Sequence, residues 1–222
     1  GLVATALKNT GIPVLVIPMG RGNTFYKVNY HDEDPIIMIK RLMNGYIIKS
    51  VDLGIIHELN RCFVLGVSVG LMAEVARAAG HFKFIGGRRA YIMSALERIL
   101  LYSSKVRGTL KVDNSVIYND YLTYSSFGIT PVRAGNVLLF PGASITDGLI
   151  DFIVVPYMSK IRLIRSKMGI TDPYVIRGRG HTLSLNLSGK LPVEVDGDFV
   201  GFLDNINVSS LPSSLNILVP SG

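Results

Sequence analysis

The chain has 222 residues, 48% hydrophobic and only 18% charged, with a mean hydropathy of +0.37 and a formal net charge of +7. That supports one good core, or one core and part of another, while the densest apolar run, Val14 to Ile17, falls far short of the ~18–20 residues that span a bilayer. A single cysteine excludes internal disulfides and cysteine-based zinc sites, and four scattered histidines offer no His-x-x-x-His pair.

The chain opens on Gly1-Leu2-Val3, without an initiator Met or the pattern of a signal peptide, and reads as the continuation of a longer protein. Residues 2 to 9 read as a helix stub. Residues 12 to 17 form a β-rich apolar run of the kind buried on both faces in a parallel sheet. A glycine loop follows, Pro18-Met19-Gly20-Arg21-Gly22, with Asn23 or Thr24 placed to cap a short helix. A second helix is expected from Pro35 to about Met43, with proline in its first turn and Asn44-Gly45 at its end. This is the punctuation of an α/β unit, and a domain boundary is placed near Gly45.

Beyond it the texture changes. Residues 46 to 56 alternate as a strand, residues 63 to 69 read as a second strand, and Cys62 sits in the apolar run Cys62-Phe63-Val64-Leu65 as a buried thiol. A helical stretch from 71 to 79 is broken at Gly86-Gly87. It resumes from about 88 to 103, with Tyr91, Ala95, Leu96, Ile99 and Tyr102 at helical spacing. From Val106 onward the pattern is short strands with turns at Asp113-Asn114, Ala134-Gly135-Asn136, Asp147-Gly148, Ser188-Gly189 and Asp196-Gly197, interrupted by a helical segment near 159 to 168. The fold class is therefore α/β plus all-β. The end of an α/β unit (1–45) is followed by an antiparallel β-sandwich (46–222) with a helical insertion over 71–103.

The positive charge is clustered. Between Arg77 and Lys111 stand eight Lys or Arg against Glu97, and between Met158 and His181 six against Asp172. Such faces attract phosphate in any setting, or are simply solvated. They lack interleaved aromatic residues and carry no nucleic-acid motif, so no nucleic-acid partner is expected.

Three turn motifs carry chemistry. Gly20 and Gly22 would let backbone N–H groups approach a phosphate at the start of a helix, with Arg21 adding charge, although a plain strand-to-helix turn looks the same. Asp147, in Pro141-Gly142-Ala143-Ser144-Ile145-Thr146-Asp147-Gly148-Leu149-Ile150-Asp151, offers one carboxylate among outward carbonyls. That set suits Mg²⁺ or Ca²⁺, or marks a hairpin turn. Asp196-Gly197-Asp198 is a hairpin signal, or it presents Asp198 as a general base for a hydroxyl attacking phosphorus. Glu194, Asp196 and Asp198 crowd three carboxylates into five residues, which calls for a cation or basic partners nearby.

Together these segments resemble the diacylglycerol kinase catalytic-domain superfamily, which includes bacterial-type diacylglycerol kinases and sphingosine kinases. The likeness runs through Val14 to Phe25, Val51-Asp52-Leu53-Gly54, Phe63 to Gly70, Gly87-Arg88-Arg89-Ala90-Tyr91, Phe140 to Asp151 and Asp196-Gly197-Asp198. The resemblance implies ATP and Mg²⁺ as cofactors and a lipid hydroxyl as acceptor. In it, Gly20, Arg21, Gly22 and Asn23 contact ATP phosphates, Ser144 and Leu149 (by carbonyls) and Asp147 hold Mg²⁺, and Asp198 is the base, with Asp196 and Thr24 in support. It further implies a cytoplasmic protein, peripheral at an anionic membrane inner face, and leaves a second copy of the chain open as a partner.

Three departures accompany the likeness. The family's glycine-rich nucleotide signature would lie upstream of Gly1, so this stretch alone is expected to be a poor kinase. Arg21 and Thr24 replace the residues usual there. Asp198 stands where the family has Glu, one methylene shorter, which can cost about 10²-fold in rate unless the cleft compensates. A soluble-substrate kinase of the NAD kinase type and a non-catalytic binder of lipid or nucleotide are the alternative readings.

Overall fold

In the computed structural model, which describes residues 1–20, 22–79, 87–133 and 137–221, strands carry most of the regular structure. Residues 1–45 hold α1 (Leu2–Leu7), a short β1 (Pro13–Val14), α2 (Thr24–Tyr30) and α3 (Pro35–Asn44). α3 is bounded as its sequence dictates. The Asp34 carboxylate accepts from the N–H groups of Ile36 and Ile37 at 2.9 and 3.2 Å, and the Gly45 N–H returns to the carbonyls of Arg41 and Leu42. β1 is a correction to the doubly buried strand expected over 12–17. It pairs in parallel through Pro13 and Val14 alone, while Ile12 and Ile17 are exposed, because its one strand neighbour among the described residues is the last strand, β12 (Asp198–Pro220).

The remaining strands are β2 (Tyr46–Ile56), β3 (Arg61–Phe63), β4 (Gly66–Gly70), β5 (Val106–Val112), β6 (Ser115–Gly128), β7 (Val132–Arg133), β8 (Val137–Leu138), β9 (Ile150–Pro156), β10 (Ile176–Gly180) and β11 (Thr182–Val195). The main sheet runs β10-β9-β6-β4-β11-β12-β2-β3 and is antiparallel throughout this path. β5 pairs with both β6 and β11, so β4, β6, β5 and β11 close into a ring. Val67, Val69, Leu110, Leu122, Leu185 and Val193 fill its interior.

The two layers of the expected sandwich are thus one sheet folded over by long strands. Two turns of the sequence reading are affected. Ser188-Gly189 lies inside β11 as the irregularity between two registers with β12, not a turn, because Leu183 to Leu187 pair with β5 before it and Val193 to Val195 with β4 after it. The turn at 134–136 lies outside the described residues.

α4 (Leu71–Ala79), α5 (Gly87–Leu101) and α6 (Lys160–Arg165) cover one outer face of this sheet, through Leu71, Val75, Ile99, Tyr124, Ile153 and Leu163. The expected apolar stripe of α5 is split: Ala95 and Ile99 are buried, whereas Leu96 faces solvent, and the Tyr91 side chain lies outside the described residues. A third cluster joins the two parts of the chain, with Ala4 beside Val51, Leu53, Cys62, Leu215 and Ile217. Tyr30 adds a hydrogen bond from its hydroxyl to the Leu218 carbonyl at 2.6 Å.

Candidate active site

The β11–β12 hairpin turns through Asp196 (φ +53°) and Gly197 (φ +92°), two left-handed residues in succession, as a two-residue loop matched to strand twist requires. The three clustered carboxylates of this hairpin have three different fates. Glu194 is buried, ion-paired with the equally buried Arg133, and accepts the Gly197 N–H at 2.6 Å. Asp196 is 7% exposed, and its carboxylate accepts from the backbone N–H groups of Val64, Leu65 and Gly66 at 3.0, 2.8 and 3.1 Å. These bonds explain why residues 63 to 69 form two strands and not one: the N–H groups at the corner turn to a side chain, not to a neighbouring strand. Asp198 is 70% exposed, and its one recorded partner is Arg61, whose Nη2 donates to it at 2.6 Å.

The crowding of negative charge is therefore relieved by Arg133, Arg61 and backbone donors. Of the three carboxylates, only Asp198 faces solvent with lone pairs to spare. Beside it on β12, Phe199 and Phe202 are 38% and 52% exposed and meet edge to face at 5.5 Å, with the Arg77 guanidinium 5.7 Å from the Phe199 ring centre. Arg61 and Arg133 were not singled out in the sequence, because nothing local marks them: Arg61 is brought to Asp198 by the β2–β3 hairpin, across 137 positions.

Asp147 lies farther along the same rim. Its Oδ1 accepts the Leu149 N–H at 3.1 Å and its Oδ2 faces Arg179 Nη1 at 3.3 Å. Ser144 Oγ accepts the Thr146 N–H at 3.3 Å, so the loop is wound on its own side chains. It is fastened from below by Asp52, a buried residue that sequence reasoning gave no role. The Asp52 carboxylate accepts from Gly148 N at 2.7 Å and Ser213 N at 2.8 Å, while its own N–H donates to the Ile145 carbonyl at 2.7 Å. Among the described residues no three His, Cys, Asp or Glu side chains gather as a metal cluster. A cation here would rest on one carboxylate and carbonyl oxygens, a donor set whose hardness fits Mg²⁺, with Arg179 as the competing positive group.

Arg179 also donates to Asp151 at 3.0 Å and to the Gly142 carbonyl at 2.6 Å. Burial raises the Asp151 carboxyl above the usual carboxylate range, against the lowering effect of Arg179. A pocket of about 200 Å³ opens there, lined by Phe140, Phe152, Arg177 and Arg179. Register connects the two carboxylate sites: Asp151 pairs with Gly128, Gly128 with Gly66, and Gly66 O accepts from Asp196 N. Three strand spacings thus lead from Asp151 to Asp196, roughly 14 Å as followed along the curved sheet.

At the glycine loop, Gly20 N–H donates to Asn23 Oδ1 at 2.8 Å. Asn23 occupies the cap position of α2 in a left-handed conformation (φ +48°), and its side chain caps this loop and not the helix, a change from the expected N-cap. Neither Gly20 nor Gly22 needs a left-handed φ, and a Cβ at Gly22 would meet only Thr24 Oγ1, at 3.6 Å. A bare backbone is thus not demanded by the fold at Gly22, whereas a Cβ at Gly20 would press on Asn23 Oδ1 at 3.2 Å. Thr24 is buried, and Arg21 lies outside the described residues. No recorded hydrogen bond or ion pair among the described residues joins this loop to Asp147 or Asp198. β1 ties it to the far end of β12.

Residues 66–219 match the family model described as the YegS C-terminal NAD kinase beta sandwich-like domain. The chain belongs to the diacylglycerol kinase-like superfamily. Within that superfamily it is 27% identical over 239 residues to a diacylglycerol kinase of Mycobacterium tuberculosis (strain ATCC 25618 / H37Rv), covering 99% of this chain and 74% of that protein. A diacylglycerol kinase of Bacillus subtilis (strain 168) is 22% identical over 198 residues, covering 85% of this chain and 63% of its own length. A crystal structure of a diacylglycerol kinase from Bacillus anthracis str. Sterne shares the fold with a TM-score of 0.69 at 15% identity, over 93% of this chain and 68% of that one. Among the described residues, no helix is long and apolar enough to cross a membrane.

Proposed function

We propose that this diacylglycerol kinase-like chain acts in an ATP- and Mg²⁺-dependent kinase that phosphorylates the hydroxyl of a lipid, such as diacylglycerol or a long-chain base. Residues 1–45 would form the end of its nucleotide-binding unit and 46–222 its sandwich domain. The observation that carries the reading is the hairpin tip: a solvent-facing carboxylate, Asp198, held by Arg61 and flanked by two exposed aromatic rings. A lipid headgroup presents a hydroxyl beside an apolar chain, and Asp198 beside Phe199 and Phe202 is the complementary arrangement.

In the proposed reaction Asp198 accepts the proton of the acceptor hydroxyl as that oxygen bonds to the γ-phosphorus. The bond from the γ-phosphorus to the oxygen bridging to the β-phosphate breaks, and ADP leaves. Arg61 keeps the shorter Asp side chain in one orientation, which offsets part of the missing methylene. Gly22 and Asn23 would receive phosphate oxygens through backbone N–H groups, with Arg21 adding charge and Gly20 shaping the loop through its N–H bond to Asn23 Oδ1. Asp147, with the carbonyls of Ser144 and Leu149, would hold Mg²⁺, which supplies positive charge that fixes the rim of the cleft. Asp52 fastens the backbone of the same loop through Gly148 N and Ser213 N.

The test is transfer of labelled γ-phosphate from ATP to a panel of lipid hydroxyls in anionic micelles, using the complete gene product. Asp198→Asn is expected to abolish transfer and leave ATP binding within about twofold. Transfer by the variant at the wild-type rate removes Asp198 as the base. Mg-ATP binding with no labelled lipid from the wild type favours a soluble acceptor or a non-catalytic binder.

A further inference from the structure

We infer that Arg179 sets the metal affinity of the Asp147 loop: its guanidinium holds the place of the cation, and a divalent ion binds there by displacing one of its arms. The inference rests on the reading of Asp147 as a metal ligand given above, and it names what the ion must displace. Both oxygens of Asp147 are already engaged. Oδ1 accepts the Leu149 N–H at 3.1 Å, a bond within the turn itself, and Oδ2 faces Arg179 Nη1 at 3.3 Å. The second contact is the one a cation can take over without opening the turn. The other arm of the guanidinium, Nη2, donates to the Gly142 carbonyl at 2.6 Å and to Asp151 Oδ1 at 3.0 Å. One planar positive fork thus bridges two carboxylates and a loop carbonyl, the hard oxygen acceptors that a divalent ion also takes.

The sequence leaves room for that fork. Gly142 has no left-handed φ, so its backbone does not call for glycine, yet a Cβ there would stand 2.8 Å from Arg179 Nη2. Arg177 offers the contrast. It projects from the same face of β10, two positions earlier, but its Nη1 and Nη2 donate to the Leu139 and Ile170 carbonyls, both at 2.8 Å. Of the two arginines, Arg177 is held by backbone and Arg179 by carboxylates. When Asp147 is taken, Arg179 keeps Asp151 and the Gly142 carbonyl, and the pocket that both arginines line gives the freed arm space. The exchange gives up one partly exposed ion pair, equivalent to at most about fivefold in affinity. Repulsion between the ion and the retained guanidinium adds to that factor.

Mn²⁺ binding to the complete protein, without nucleotide, should be followed by electron paramagnetic resonance of the free ion, with Mg²⁺ as competitor. Asp147→Asn should remove the site. Arg179→Gln should tighten it about five- to twentyfold. Because that change also strips the buried Asp151 carboxylate of its cation, Arg179→Gln with Asp151→Asn is the companion variant, and it should bind more tightly than the wild type despite one carboxylate fewer. Arg177→Gln removes the same charge from the same strand face and should stay within about twofold. Unchanged or weaker binding by both Arg179 variants overturns the inference, and weaker binding makes Arg179 a support of the loop. Equal tightening by Arg177→Gln overturns it too, as a general effect of charge. A site that Asp147→Asn removes, yet Arg179→Gln does not alter, leaves the metal reading standing without this inference. No such site in the wild type or in either Arg179 variant ends both.

Discussion

Replacing Asp196 by Ala removes the acceptor of three backbone N–H groups, those of Val64, Leu65 and Gly66, from a corner where the carboxylate is 7% exposed. A buried N–H left without a partner costs about 1–3 kcal/mol, so three of them give roughly 3–5 kcal/mol once the corner relaxes toward water. At ~2–4 °C per kcal/mol for a chain of this size, the melting temperature should fall by ~6–20 °C. Asp196→Asn retains one carbonyl oxygen and tolerates the left-handed φ, and should cost only ~1–2 kcal/mol. Two residues on, Asp198→Asn alters a 70% exposed group whose one recorded partner is Arg61, a change of about 0–1 kcal/mol. Thermal unfolding followed by circular dichroism, run beside the phosphate-transfer assay, measures both effects. Asp196→Ala melting with the wild type, or Asp198→Asn falling as far as Asp196→Ala, would refute the division of labour assigned to this hairpin.

Asp113 is the second carboxylate with a structural task. The Thr182 N–H first, then the His181 N–H and the Thr182 hydroxyl, hold it below the usual carboxylate range. A depressed native value stabilises the fold above about pH 4 and loses that contribution as pH falls through it. The wild type should thus lose more stability than Asp113→Asn on acidification from pH 5 to pH 3, measured by urea midpoints. Arg133→Met strands the buried Glu194 carboxylate and should cost ~3–5 kcal/mol in the same titration. Adding Glu194→Gln should restore part of that loss, and a double variant no better than the single would count against the pair. Gly54→Ala would bring its Cβ to 1.9 Å from Phe63 Cζ, in the fully buried ring position. A loss of ~1–3 kcal/mol is expected, with partial rescue by Phe63→Leu on differential scanning calorimetry; failure of the rescue would place the strain elsewhere.

What could be read from the sequence was local. Tyr46 to Ile56 is β2, although its burial does not alternate but runs from an open first half to a continuously buried Val51 to Ile56; α4 occupies the predicted 71–79, and Asp34, Pro35 and Gly45 bound α3 because caps act within a few residues. Asp113-Asn114 and Asp196-Gly197 are turns because each pair accepts left-handed φ values. What escaped was set by partners distant in sequence. Ser188-Gly189 has turn composition but lies between two registers of β11, and the break at Val64-Leu65 is imposed by Asp196. Asp52 sits in an apolar strand with no local sign that it fastens the Gly148 and Ser213 backbones. The candidate base was visible as an acidic turn, but only the hairpin geometry distinguishes Asp198, exposed, from Asp196, which the backbone consumes.

The path of β12 has a consequence for how the protein is made. Pro13 and Val14 wait for Asn216 and Ile217, and Tyr30 for the Leu218 carbonyl 188 positions on, so these helices are made long before their partner strand. Until then Tyr26, Tyr30 and Met38 lack the Val219 side chain that packs against their cluster. Contacts that span so much chain are slow to form and leave apolar surface open meanwhile. Synthesis from the ribosome should therefore pass through a stage in which the ring of strands is assembled while α2 and α3 are still undocked, and chaperone demand should concentrate there.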